Sequence, residues 1–459
     1  MKVQNPATHE TLAELASDSG PDLARKLALA RAAQPGWAAT SLGDRLAIVA
    51  RFRDALAARK PELARILTRE MGKPIRQAEN EIGAMTQSMT GRIDFFLGAT
   101  AEALKPTTVL DDAGMEETIT HEPLGVVANV SAWNYPYFVG SNVFIQALLT
   151  GNAVLYKPSE LTSMTGLAIA ELLHGAGVPS EIFAPVIGTG AVGDALVRLD
   201  VDGVFFTGSH PTGKKIAEAL AGRFIRTQFE LGGKDPTYVC DDVASVSAAA
   251  EGLADGAFYN TGQSCCSVER IYVHQKVARA FIEAFLENVR GFRLGDPEDP
   301  ATYVGPLARA PQLGVLEAQV RDAVARGARL LCGGQRSARP GNYFEPTVLT
   351  EVTTDMAVMR EESFGPIIGI EVVPDDEAAI ARMNDTEYGL TAGVYSSDRE
   401  RARRILSRVD AGSVYWNCCD RVSPRLPWTG RKHSGMGSTL STAGITAFLQ
   451  PKAWHLRRV

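Results

Sequence analysis

Apolar and polar positions change rhythm several times along the chain. Across 21–104, Ala, Leu and Arg recur at amphipathic spacing, most clearly over 44–59, which predicts helices. After Pro106 the texture turns β-prone between turn residues, through 107–124. From 125 to about 230, apolar runs at 126–130, 153–156, 184–187 and 204–207 alternate with helical segments at 137–149, 164–174 and 211–222. That alternation is the sequence form of βαβ units and a mostly parallel sheet. A second alternating region predicts strands near 236–240, 270–273, 329–332, 368–373 and 392–395. Its helices are expected at 275–290, 311–327 and 399–409. The tail, 440–459, reads as a short mixed segment with basic residues. The fold class is therefore α/β, with two lobes and a small β element built from 107–124 and the tail.

Composition adds limits. A chain of 459 residues suggests about three structural units, and 45% hydrophobic content supplies large cores. A net charge of −6 provides no general basic surface, so nucleic acid is not an expected partner. The apolar stretch 138–156 is interrupted by Ser141, Asn142, Gln146 and Asn152, so no membrane span is expected there. Six cysteines without a CxxC, and seven scattered histidines, suggest neither a disulfide framework nor a metal site. The N-terminus, MKVQNPATHE, has no signal-peptide pattern, and a cytoplasmic location is expected.

Several short passages carry chemistry, each with a bland alternative. Gly188-Thr-Gly-Ala-Val-Gly193 fits GxGxxG, the turn that lets backbone approach a pyrophosphate. No ribose-binding acid follows at the usual distance, so a tight turn without nucleotide contact remains open. Thr207-Gly208-Ser209 offers backbone N–H groups and a hydroxyl at a helix start, for a phosphate or simply as an N-cap. Cys265 lies in the Gly- and Ser-rich turn 260–267, either a reachable thiol or an inert small hydrophobe. Glu230 precedes a Gly pair, as a general base or a solvated strand-end acid. Asn134 is either an oxyanion donor or a helix cap.

Taken in order, these residues resemble the NAD(P)-dependent aldehyde dehydrogenase superfamily. The resemblance runs from Glu70-Met-Gly-Lys-Pro74 through Trp133-Asn-Tyr-Pro136, Lys157-Pro-Ser-Glu160 and Phe206-Thr-Gly-Ser209. It continues through Glu230-Leu-Gly-Gly-Lys234, Gly262-Gln-Ser-Cys265, Glu362-Ser-Phe-Gly-Pro366 and Lys432-His-Ser-Gly435. It implies a Rossmann-like cofactor-binding domain (1–106 and 125–232), a catalytic domain (233–433) and an oligomerisation arm (107–124 and 440–459) for a dimer or tetramer. It assigns Cys265 as nucleophile toward an aldehyde, the Asn134 amide and Cys265 N–H as oxyanion donors, and Glu230 as base for hydrolysis of the thioester. The cofactor takes the hydride.

The same resemblance places Lys157 and Glu160 on the adenosine ribose, Ser209 on the pyrophosphate and Glu362 on the nicotinamide ribose. Trp133, Thr207, Gly208, Thr212, Leu231 and Phe364 line the cofactor site, and Gly188 packs near adenosine. Glu160 favours NAD over NADP, because a carboxylate repels a 2′-phosphate, although NADP remains possible. Tyr135, Phe138, Val139 and Asn142 share one helical face toward the substrate, with Cys266, Val422 and Trp428 around it. Arg421 and Arg425 are candidates to pair with a carboxylate, as in succinic semialdehyde, or are solvated loop arginines. Cys266 is a pocket filler or a partner that could trap oxidised Cys265 as a disulfide. Coenzyme A acylation and a non-redox cysteine hydrolase are the competing activities. Retention of Glu230 speaks against the first, and the lack of a placed partner His against the second.

Overall fold

In a computed structural model that describes residues 1–87 and 89–458, the amphipathic stretch forms helices Gly20–Ala39, Leu42–Ala58, Lys60–Met71, Ile75–Thr86 and Arg92–Leu104. Ser88 and Val459, both inside the expected domains, lie outside the described residues. Ser19 and Asp22 cap the first helix reciprocally, which satisfies its free N–H groups. Lys60–Met71 buries Leu63, Ala64, Leu67 and Met71, the spacing of a single apolar stripe.

The first alternating region builds a six-stranded sheet. Its spatial order is Gly435–Met436, Arg226–Glu230, Gly203–Thr207, Val126–Val130, Ala153–Lys157 and Phe183–Pro185. All neighbours run parallel except Gly435–Met436, which returns from far down the chain and lays Gly435 opposite Glu230. The central strands are buried on both faces, which explains their unbroken apolar runs.

Two acids of the N-terminal helices act as caps for the helices of this layer. Glu70 accepts N–H bonds from Met164 (2.6 Å) and Thr165 (2.7 Å), at the start of helix Ser163–Ala176. Glu81 accepts from Tyr137 (2.9 Å) and Phe138 (3.2 Å), at the start of helix Pro136–Leu149. Its other oxygen takes the fully buried Lys73 ammonium at 2.5 Å. A carboxylate at a helix N-terminus meets both the free N–H groups and the positive end of the dipole. Lys73 thus supports, through Glu81, the start of the helix that follows Tyr135 and carries Phe138 and Asn142.

The second region forms a seven-stranded sheet ordered Arg329–Cys332, Thr347–Thr350, Ile367–Val373, Val268–His274, Asp235–Val239, Thr391–Tyr395 and Ser413–Trp416. Only its first pair is antiparallel. Periodicity missed strands Thr347–Thr350 and Ser413–Trp416 and helices Val246–Phe258 and Asp376–Asn384. Val246–Phe258 is rich in Ala and Gly, so its two faces contrast little.

The expected β element of 107–124 and the tail forms, and the tail is more regular than the short mixed segment its pattern suggests. Ser441–Thr446 is helical, and Leu449–Arg457 is a nine-residue strand paired in full register with Met115–Pro123, itself paired with Thr107–Asp111. Phe448 stacks on Phe205 at 4.3 Å and ties this three-stranded sheet to the six-stranded one. Val109, Leu110, Trp454 and Leu456 are exposed on the three-stranded sheet. Among the described residues, no helix is long and apolar enough to cross a membrane.

Candidate active site

Cys265 follows a loop that the backbone holds in an unusual shape. Asn260, Thr261 and Gly262 are consecutively left-handed, with φ of 52°, 60° and 70°. Gly262 is required twice over, because a Cβ there would meet the Gly365 carbonyl at 2.3 Å. Buried Asn260 donates to the carbonyls of Asn134 (3.2 Å) and Gln263 (3.0 Å), so it joins the two segments that meet at the thiol. The Asn134 amide donates to the Gln263 carbonyl at 3.2 Å, two residues before Cys265, and its second N–H remains to be used. Cys265 itself is half-buried.

The Glu230-Leu-Gly-Gly-Lys234 turn packs directly against this loop. A Cβ on Gly233 would stand 2.8 Å from the Cys265 carbonyl, and one on Gly232 would stand 2.3 Å from a Glu362 oxygen. Glu230 is buried and accepts from the Thr439 hydroxyl and from Gln228 (3.2 Å). Burial pushes its carboxyl up to about 7, while Thr439 and the nearby Arg92 charge hold it down. It is therefore able to exchange a proton near neutral pH. Glu362 accepts the Gly233 N–H at 3.0 Å, and burial with the neighbouring Glu269 charge raises it to about 8.

A buried ion pair fixes the loop that presents Glu362. Lys234 donates to Glu269 at 2.5 Å and to Ser363 at 2.9 Å, and Glu269 accepts the N–H groups of Ser363 and Phe364. Glu269→Gln leaves the Lys234 charge buried without its counter-ion, and is expected to lower stability by about 3–5 kcal/mol. Urea unfolding followed by fluorescence measures it; an unchanged midpoint would mean that the pair does not anchor the loop.

Trp133, Glu160, Ser209 and Leu231, expected at a nicotinamide cofactor, each follow the carboxyl end of a parallel strand of the six-stranded sheet. Trp133 and Phe364 meet edge to face at 5.4 Å. Ser209 begins helix His210–Leu220, yet its hydroxyl makes no capping bond and lies 3.0 Å from the Thr212 hydroxyl, both exposed. A Cβ on Gly208 would meet the Phe206 ring at 2.5 Å, and one on Gly213 would meet Leu231 at 2.6 Å, so the turn closes tightly after Thr207. Lys157 is buried beneath Gly193, and Glu160 is exposed beside it. The GxGxxG passage links strand Phe183–Pro185 to the next helix. Gly190–Val197 is a short helix, and Gly188 is glycine because a Cβ would strike Val192 at 2.3 Å. An exposed Ser209 hydroxyl at a helix start, the Glu160 and Glu362 carboxyl groups and the Trp133–Phe364 aromatic pair fit a dinucleotide.

On the substrate side, Tyr135 and Phe138 stack at 5.9 Å, and Val139 is half-buried one position further on. Asn142 is buried and accepts from Arg92 at 2.5 Å. Trp428 is buried, and its backbone exchanges two hydrogen bonds with Thr439, the residue that contacts Glu230. Val422 packs against the same core. Arg421 and Arg425 are exposed, and it is the Arg421 carbonyl, bonded by the Tyr415 hydroxyl, that is tied down. Sequence reasoning missed Asp420, which accepts from the Cys266 thiol at 3.0 Å and from Ser264 at 3.4 Å. It also missed Arg92, Thr439 and Asn260. Arg92 carried a signal: with Ile93, Phe96 and Thr100 it forms the buried face of its helix, where an arginine is out of place.

Known proteins resemble this chain over nearly its whole length. The family model described as "Aldehyde dehydrogenase family" matches residues 1–454. A betaine aldehyde dehydrogenase of Cereibacter sphaeroides is 37% identical over 452 residues, covering 98% of this chain and 92% of the relative. Among solved structures, an NAD-dependent aldehyde dehydrogenase from Sinorhizobium meliloti superposes with a TM-score of 0.95 at 34% identity, over 99% of this chain and 91% of the other. An E. coli NADP dependent enzyme gives 0.95 at 31% identity, over 100% and 94%.

Proposed function

Because the chain belongs to the aldehyde dehydrogenase family, a family of oxidoreductases, we propose that it oxidises an aldehyde to the carboxylic acid with NAD+, and less readily with NADP+. The observation that carries this reading is the meeting of the half-buried Cys265 loop with the Asn134 amide, bonded to Gln263, and with the Glu230–Lys234 turn, whose carboxyl lies near its ionisation point. The Cys265 thiolate adds to the aldehyde carbon. The oxyanion formed is met by the Asn134 amide and the Cys265 N–H, which are held in place before the substrate arrives. A nicotinamide cofactor, when bound between Trp133, Phe364 and Ser209, supplies the hydride acceptor. Glu230 then takes a proton from the water that attacks the Cys265 thioester. Its retention supports water, rather than coenzyme A, as the acyl acceptor.

Incubation of the purified protein with NAD+ and an aliphatic aldehyde tests the reading. One carboxylic acid is expected per NADH without added coenzyme A. Acid release without NADH would support a hydrolase, and a strict need for coenzyme A would support acylation. The exposed three-stranded sheet, with its apolar positions uncovered, is where we expect subunits to pair into a dimer or tetramer.

Cofactor choice should follow Glu160. Its exposed carboxylate stands beside Lys157 and repels a 2′-phosphate. Glu160→Gln is expected to shift the NAD/NADP ratio of kcat/KM toward NADP by about tenfold. Steady-state kinetics with both cofactors check this; an unchanged ratio would remove Glu160 from cofactor selection.

A further inference from the structure

Arg92 opens helix Arg92–Leu104 and is only 4% exposed. Its guanidinium lies over the Phe138 ring, 4.3 Å from the centroid, and donates to the Asn142 side-chain oxygen. Phe138 and Asn142 belong to the helical face that the family resemblance turns toward the substrate. Among the described residues, that Asn142 oxygen is its only hydrogen-bond acceptor, and no carboxylate lies within ion-pairing distance. Burial lowers Arg92 to about 10, against the attraction of Glu230, Glu81 and Cys266, so it remains a cation at neutral pH.

Each acid that feels this charge is already engaged. Glu81 holds Lys73 and caps its helix, while Glu230 accepts from Thr439 and Gln228. The Cys266 thiol donates to Asp420. Glu230 attracts the guanidinium from a distance but no carboxylate touches it, so a contact anion for this buried cation is left for a molecule bound beside Phe138 to supply. Two cations also cover the aromatic pair: Lys73 stands 3.7 Å from the Tyr135 centroid, and Arg92 stands over Phe138. Those ring faces are therefore poor seats for a cationic substrate group.

We infer that Arg92 is a specificity residue that receives a carboxylate at the far end of the aldehyde, making a short semialdehyde acid the preferred substrate class. The inference rests on the aldehyde oxidation proposed above. A planar guanidinium suits a carboxylate through paired N–H bonds, and Asn142 orients it by occupying one N–H. Asp420 is the rival anchor, for a cation, and burial raises its carboxyl to about 6.

The test compares succinic semialdehyde, butanal and betaine aldehyde as substrates of the full-length enzyme with NAD+. Wild type is expected to prefer succinic semialdehyde over butanal in kcat/KM. In Arg92→Met that ratio should fall about 100-fold, mainly through KM, and Arg92→Lys should restore part of it. Succinate should inhibit wild-type butanal oxidation competitively, a measurement that needs no variant. Butanal oxidised without any preference for the acid would overturn Arg92 alone, as would a ratio unchanged in Arg92→Met. A preference for betaine aldehyde that Asp420→Asn removes would overturn it in favour of a cationic substrate. If none of the three yields NADH, the oxidation reading itself fails. Succinate's effect on the Tm of wild type then decides the site, and no shift would overturn it.

Discussion

Cys265→Ala is expected to reduce aldehyde-dependent NADH formation by at least about 10,000-fold while leaving the protein folded. The substitution removes one sulfur from a half-buried position, so it opens little cavity. The adjacent thiol does not substitute. Cys266 is held well above the usual thiol range, first by its hydrogen bond with Cys265 and then by burial, and it donates to Asp420. Without Cys265 the thiol stays protonated beside a carboxylate, and a protonated thiol is a poor nucleophile. Stopped-flow NADH measurement with saturating aldehyde checks this, alongside circular dichroism for the fold. Turnover within tenfold of wild type would move the nucleophile elsewhere.

Glu230→Gln should separate the two halves of the reaction. Acylation does not require this carboxylate, so one NADH per subunit is expected as a burst. The steady rate after it should fall about 100- to 10,000-fold, the range lost with a general base. The pH dependence follows from the same group. Its carboxyl, at about 7, must be ionised to accept a proton, so the wild-type steady rate rises as pH increases through 7 and levels above it. The variant should lose that acidic limb. A variant with no burst, or with the limb intact, would assign the titration to another group. Arg92 and Thr439 both hold Glu230 down, so the base is set partly by the residue inferred to read the substrate.

The elements best marked in the sequence were those whose burial is uniform. The apolar run 126–130 is the strand Val126–Val130, because both faces of a central parallel strand are covered. That the tail joins 107–124 in a β element was legible, but the bounds of its strand were not, since eight of its nine residues are exposed and its partner lies more than 300 residues away. The motif residues were legible because their chemistry is local. Cys265 needs its Gly-containing turn, Glu230 its Gly pair and Ser209 its helix start, and each requirement is written within a few positions.

What the sequence determined by itself was the alternation that makes an α/β fold and the short passages where thiol, carboxylate and amide reside. Tertiary structure alone decided which charges those passages face. Arg421 and Arg425 had the right chemistry in the right loop, yet they are exposed. Arg92, some 330 residues earlier, stands over Phe138 instead. Thr439 reaches Glu230 only because Gly435–Met436 pairs beside its strand. The physical reason is that burial and charge pairing are sums over all neighbours in space. Local pattern specifies the backbone on which a side chain sits, but the energy of a charge depends on what the rest of the chain places around it.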